Sequence, residues 1–474
     1  MERVMSKLKQ INIYQRILDR LFVDTINSLC RVSGLTLLLL IIGTTNAQTF
    51  DQSFAAYQNK DYETALAGFQ KLADRGHSAS QYYIGQMYFL GFGVLSNKDI
   101  GNMWNKKAAE QGNPSAQYIL GLQFETGFDN TLPSESAKAA TWYLKAADQG
   151  LEIAMLKLAR MYDEGRGVPK DAQKALSWYV KAAEQGDPNI QALVGLRYAS
   201  GDGVEINWKT ACSWFEKSAN GGNYDSMARV GYCHSWKEIE NADIKKALYW
   251  FQKAADAEIA TGQFELGRLY ENGKGVTKDE KKAFDLYRKA AENNHADAQL
   301  RLGFFYEYAK GVKKDILEAV KWYQKSAEQG NSYAQTNLGL IFLNGNGVEK
   351  NLALAASWFK KSADQNFVIG QYMLGTMYEV GAGVARDYEL AVMWFKKSAE
   401  SGYAESQNKL GVKLAEGVGI QKNMVEALKW FTISAAAGNE KAIENRDKAE
   451  KSMKSAEVKR AQALAAAWIK KKPE

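Results

Sequence analysis

Tryptophan recurs along this chain with a fixed step. It stands at Trp142, Trp178, Trp214 and Trp250, then at Trp322, Trp358, Trp394 and Trp430. Each step is 36 residues except one of 72, where Leu286-Tyr287 fills the missing position. Trp104 lies 38 residues before Trp142. A second ladder runs in parallel through Gly85, Gly121, Gly195, Gly231, Gly267, Gly303, Gly339, Gly375 and Gly411, with Ala159 where one glycine is missing. A period of this length specifies a solenoid, in which no unit can bury its apolar face without its neighbours.

One period, residues 368–403, shows the local structure. Gln371 to Tyr378 carry apolar or small residues at helical spacing and predict a first helix. Gly381-Ala382-Gly383-Val384 ends it, because glycine takes the left-handed conformation at a helix C-terminus without steric cost. Glu389 to Ala399 form a second helix with Leu390, Trp394 and Phe395 on one face. Small residues (Gly375, Ala391, Ala399) let neighbouring helices approach, and the tryptophan is expected to fill the remaining volume, so that Trp322 would be buried. Ten units start near residues 77, 114, 152, 188, 224, 260, 296, 332, 368 and 404. Two are irregular: Gly127 to Pro133 replace the tight loop in one, and Ser235 to Glu240 contain no glycine in another. Only 5 prolines against 40 glycines suit helices joined by tight, regular turns.

The ends differ from the repeats. Gly34 to Gly43 is a short apolar run behind Arg31, followed by Thr45-Asn46-Ala47. It is shorter than the ~20 apolar residues that span a bilayer and has the layout of a secretory signal peptide cleaved before Gln48. Cys30 precedes the run and so is not placed as a lipid-anchor cysteine. The alternative is an uncleaved interfacial helix at the inner membrane. The expected organisation is a signal peptide over 1–47, a tetratricopeptide-like helical cap over 48–76, the repeats over 77–439 and capping helices over 440–474.

The unit follows the pattern A-x-Q-x-x-L-G-x-x-Y-x-x-G-x-G-V, then K-A-x-x-W-[YF]-x-K-[AS]-A-x-x-G. It is nearly intact in Gln263-Phe264-Glu265-Leu266-Gly267 with Gly273-Lys274-Gly275-Val276, and in Lys321-Trp322-Tyr323-Gln324-Lys325-Ser326-Ala327. In this the chain resembles the Sel1-like repeat family over about residues 51 to 470. The resemblance implies an all-α, right-handed α/α superhelical solenoid with helical end caps. It also implies an adaptor function in signalling, envelope regulation or contact between bacteria and host cells. A cysteine-rich secreted branch of that family is described as penicillin-binding or weakly β-lactam-hydrolysing, but this chain lacks that branch's cysteine in every unit.

Little else in the sequence points to chemistry. The three histidines are isolated: His77 and His295 fall between units, and His234 replaces the repeat tyrosine. No HExxH, CxxC or GxSxG occurs, so neither a metal site, a cofactor nor a catalytic residue is assigned. Glu and Asp residues are expected on solvent faces. Net charge is +7, of which +3 lies in residues 1 to 47, too diffuse for a nucleic-acid partner. Cys212 and Cys233 lie ten residues before and eleven after Gly222, at equal height in a hairpin. They are expected to form a disulfide in an oxidising compartment, the alternative being two misaligned thiols.

One column varies from unit to unit. Two residues before the ladder position it reads Tyr83, Ile119, Lys157, Leu193, Arg229, Glu265, Arg301, Asn337, Met373 and Lys409. Read as a solvent-facing column on the concave surface, it makes Lys157, Arg229, Glu265, Arg301, Asn337 and Met373 candidate partner contacts. Arg301 would then be dispensable for stability. Phe304 and Tyr308 are candidate aromatic anchors. The reading is an exported, monomeric, non-enzymatic scaffold that takes a protein or peptide partner and is not stably inserted in the membrane once the signal is cleaved. A peptidoglycan or carbohydrate binder and a weak β-lactam hydrolase are the alternatives.

Overall fold

The computed structural model describes residues 49–127, 135–235 and 243–471. The expected signal peptide with Cys30, and most of the two irregular segments, lie outside the described residues. Among the described residues there are 24 helices and no strand. Within each of two compact units, consecutive helices pair and each pair packs on the next. The architecture is the all-α solenoid of helix pairs that the period specifies. The chain divides into two compact units, up to Asp243 and from Ile244 onward.

Local sequence sets where each helix starts and stops. The second helix of a repeat begins after Asn97, Asp171, Asn207, Asp279, Asp315, Asn351, Asp387 or Asn423, whose side-chain oxygen accepts a backbone N–H of the first turn. The first helix stops where Gly165, Gly201, Gly273, Gly345, Gly381 or Gly417 turns left-handed. The second glycine of the GxG loop has a further cause. A Cβ on Gly383 would run into the Leu352 carbonyl, and one on Gly311 into that of Glu280, each at the start of the preceding repeat's second helix. The loop therefore joins repeats as well as ending a helix.

The deepest residue of each repeat is not the tryptophan but its C-terminal neighbour. Tyr143, Tyr179 and Phe215 in the first unit, and Phe251, Tyr287, Tyr323, Phe359, Phe395 and Phe431 in the second, are at most 3 % exposed. Their rings lie where a Cβ on the ladder glycine would be: Tyr143 on Gly121, Tyr323 on Gly303, Phe359 on Gly339. The tryptophans form the next layer out, and Trp322 is only half-buried. A lysine three residues on lies over the indole, as Lys181 over Trp178 and Lys361 over Trp358 do at 3.9 Å. The Trp322 expectation is corrected accordingly: Tyr323 fills the core, and Trp322 with Lys325 seals it.

Both ends of the array are closed by aromatics. The helices Phe50–Gln58 and Tyr62–Ala73 pack Phe50, Phe54, Tyr57 and Phe69 around Tyr83. At the other end Trp468 meets Trp430 at 5.7 Å. Among the described residues no helix is long and apolar enough to cross a membrane.

Candidate protein-binding surface

The variable column does not stand free of the solenoid. Lys157 Nζ is 3.2 Å from Glu125 of the preceding repeat, Arg301 is 2.9 Å from Glu271, and Lys409 is 2.7 Å from Glu379. Each carboxylate lies four residues after the ladder glycine and is at most 13 % exposed. In the repeats containing Glu125, Glu271 and Glu307, the buried phenol of Tyr143, Tyr287 or Tyr323 donates a hydrogen bond to the same carboxylate, at 2.6, 2.6 and 2.7 Å. Asp163 plays this part for Tyr179 at 3.2 Å and takes Arg197 at 2.7 Å. Acidic residues expected on solvent faces are thus the buried ends of joints between repeats.

The electrostatics follow from that burial. Burial pushes the Glu125 carboxyl up, but the Tyr143 hydrogen bond and the Lys157 and Arg166 charges outweigh it and hold it below 4.5. At Glu379 burial is likewise outweighed by Lys409 and Lys413. At Asp163 burial prevails over Arg197, and the carboxyl is raised. The phenols of Tyr143, Tyr179, Tyr287 and Tyr323 are pushed far up, first by burial and then by the carboxylate they face.

Glu265 is buried and pairs with Arg268 at 3.0 Å. Arg229 is half-buried, its guanidinium 5.6 Å from the Phe215 ring. Asn337 lies near the Tyr323 phenol and slightly offsets the rise of its pKa. Met373 packs with Leu343 on the core around Phe359. Arg301 is not free: its loss would strip a buried carboxylate of its cation. Tyr308 stands out at 58 % exposed, 4.6 Å from Phe304 between ring centroids. Arg301 and Lys310 lie 5.6 and 5.2 Å from the Phe304 ring. Arg301, Phe304 and Tyr308 are therefore brought together on one helix, Ala296–Tyr308.

His77 and His295 cap helices, their Nδ1 accepting the N–H of Ser80 and Ala298. Burial lowers the His295 pKa, in keeping with a neutral acceptor. Cys212 and Cys233 are joined by a disulfide, their Cα atoms 5.8 Å apart. Among the described residues no group of three or more His, Cys, Asp or Glu is placed to hold a metal ion.

A model described as the Sel1 repeat matches ten successive segments between residues 78 and 439. Among solved structures, the chain is 33 % identical to a protein described as a protective antigen present in uropathogenic Escherichia coli strains, displaying an SLR fold. That match covers 86 % of this chain and 94 % of that one, at a TM-score of 0.51. It is also 29 % identical to a Sel1 repeat protein from Oxalobacter formigenes, over 65 % of this chain and 88 % of that one, at a TM-score of 0.58. Comparison with curated proteins gave no match.

Proposed function

From the premise that the chain belongs to the Sel1 repeat family, whose members are generally protein-interaction scaffolds, we propose that it is an exported, non-catalytic scaffold for a protein or peptide partner. The observation that carries this reading is the exposed Tyr308 packed on the half-buried Phe304, with Arg301 and Lys310 beside the Phe304 ring. An amphipathic ring with cations beside it suits a partner that offers an apolar side chain and a carboxylate, the arrangement from which interface hot spots are built. Export is supported by the apolar run and its small-residue exit before Gln48. The description of one relative as a protective antigen accords with it.

Three experiments test the proposal. A photo-cross-linking residue at position 308 should capture a protein from envelope extract, whereas one at the exposed Tyr249, on a second helix, should not. Equal capture, or none, counts against it. N-terminal sequencing of the envelope-borne protein should begin near Gln48; an intact Met1 in the cytoplasm contradicts export. Nitrocefin turnover by the purified chain would contradict the non-catalytic reading.

A further inference from the structure

The last joint of the array is built from short side chains. Four residues after the ladder glycine stand Glu271, Glu307, Leu343 and Glu379 in successive repeats, but Ala415 follows Gly411. The residue that meets this position from the next repeat is Arg301, Asn337, Met373 or Lys409, and in the last joint Asn445. Asn445 lies on the capping helix Glu440–Ser452, and its amide donates to Asn408 at 2.9 Å. Phe431 keeps the deep aromatic position. Alanine recurs here only as Ala199 in the first unit, where the Arg229 guanidinium lies 5.6 Å from the Phe215 ring.

An open cavity of about 250 Å³ lies at this joint. Val412, Ala415, Met424, Phe431 and Ala449 give it apolar walls, and the exposed Glu416 and Lys448 stand at its mouth. The array itself shows what suits such a place. In the apolar joint beside Phe359, the same two positions hold Leu343 and Met373, packed on the core. The charges at the mouth differ in their partners. Glu416 lies 3.7 Å from Lys413, whereas Lys448 has no carboxylate partner among the described residues.

We propose that this cavity takes the leucine or methionine side chain of a partner peptide, with an acidic residue beside it on Lys448. The side chain supplies from outside the aliphatic volume that Leu343 supplies from within, and the carboxylate complements the one unpaired charge at the mouth. Val412 and Glu416 stand three 36-residue periods after Phe304 and Tyr308, in the same two columns of the same compact unit. The inference rests on the protein-binding reading and gives it a second anchor.

The test is titration of the full chain, labelled with methyl-¹³C methionine, with acetyl-Glu-Leu-amide. The Met424 methyl resonance should shift, while that of Met155, in the other compact unit, should not. Acetyl-Glu-Ala-amide should bind at least about tenfold more weakly, having three carbons fewer to bury. Acetyl-Gln-Leu-amide should bind about two- to fivefold more weakly, the worth of an exposed ion pair. Ala415→Leu copies Leu343; it should fill the cavity, raise Tm and abolish the peptide-induced shift. Lys448→Gln, at an exposed position, should leave Tm unchanged and bind the Glu and Gln peptides alike, which keeps the test independent of repacking. A Met424 resonance that does not move, equal binding of the alanine peptide, or binding that survives Ala415→Leu would overturn the site. Discrimination between Glu and Gln that survives Lys448→Gln would overturn the carboxylate contact. Cross-linking from position 308 tests the scaffold reading separately, so the two can fail independently.

Discussion

Two joints in the second compact unit do one task with opposite chemistry. Between the repeats over 260–295 and 296–331, Tyr287 hydrogen-bonds Glu271, which pairs with Arg301. Between those over 332–367 and 368–403 the equivalents are Phe359, Leu343 and Met373, an apolar joint. The three positions change together. Tyrosine stands at the deep aromatic position wherever it faces Glu125, Asp163, Glu271 or Glu307 of its own repeat. Phenylalanine stands there where the acid is absent, and also beside Glu379, which Lys409 and Lys413 serve instead. Variability along a solenoid column thus reports how neighbouring repeats are coupled before it reports a partner. A third joint is covalent, through Cys212 and Cys233 in the first unit.

Substitutions should break these joints in a graded order. Tyr287→Ala and Phe359→Ala should each cost about 3–5 kcal/mol, because both rings are fully buried and leave a cavity whatever joint they serve. Chemical denaturation would show the two alike; a large difference would mean the phenol, not the volume, dominates. Reduction of the disulfide should cost about 3 kcal/mol for a closed loop of this length, measured as a fall in stability under reductant. No effect would reduce it to two neighbouring thiols.

Changes of a single hydroxyl separate the polar joint from the apolar one. Tyr287→Phe should cost about 1–2 kcal/mol by stripping Glu271 of its donor. Phe359→Tyr should cost about 1–3 kcal/mol by burying a hydroxyl against Leu343, and adding Leu343→Glu with Met373→Arg should recover most of that loss. Failure of the triple change to recover stability would break the analogy between the joints.

The smallest effect is in pH. The Glu379 carboxyl is held below 4.5 in the folded chain, so ionisation there stabilises the fold above that value. That contribution is lost as pH falls from 4.5 through the depressed folded pKa. Glu379→Gln should therefore flatten the acid limb of the stability curve. An unchanged acid limb would show that Lys409 and Lys413 do not favour the charged form.

The period, the helix pairs and the turns were legible because they rest on local chemistry repeated ten times. The deep aromatic was legible too, since Trp322-Tyr323 and Trp358-Phe359 present both residues; Trp178, Trp214, Trp250, Trp358, Trp394 and Trp430 are buried as expected, while Trp142 and Trp322 are half-buried and it is their neighbour that meets the ladder glycine. The joints were harder to read. Lys157 and Arg301 look solvent-facing one repeat at a time, and their acids lie 32 and 30 residues away. The signal was the matched change of three columns across adjacent repeats.

Glu271 and Arg301 act as one element of the joint between their repeats. A double-mutant cycle with Glu271→Leu and Arg301→Met, read by native-state hydrogen exchange over residues 280–308, measures that coupling directly. The double variant should be less destabilised than the sum of the two single variants, with a coupling of about 1–3 kcal/mol. Additivity within about 0.5 kcal/mol would contradict the account and return Arg301 to solvent.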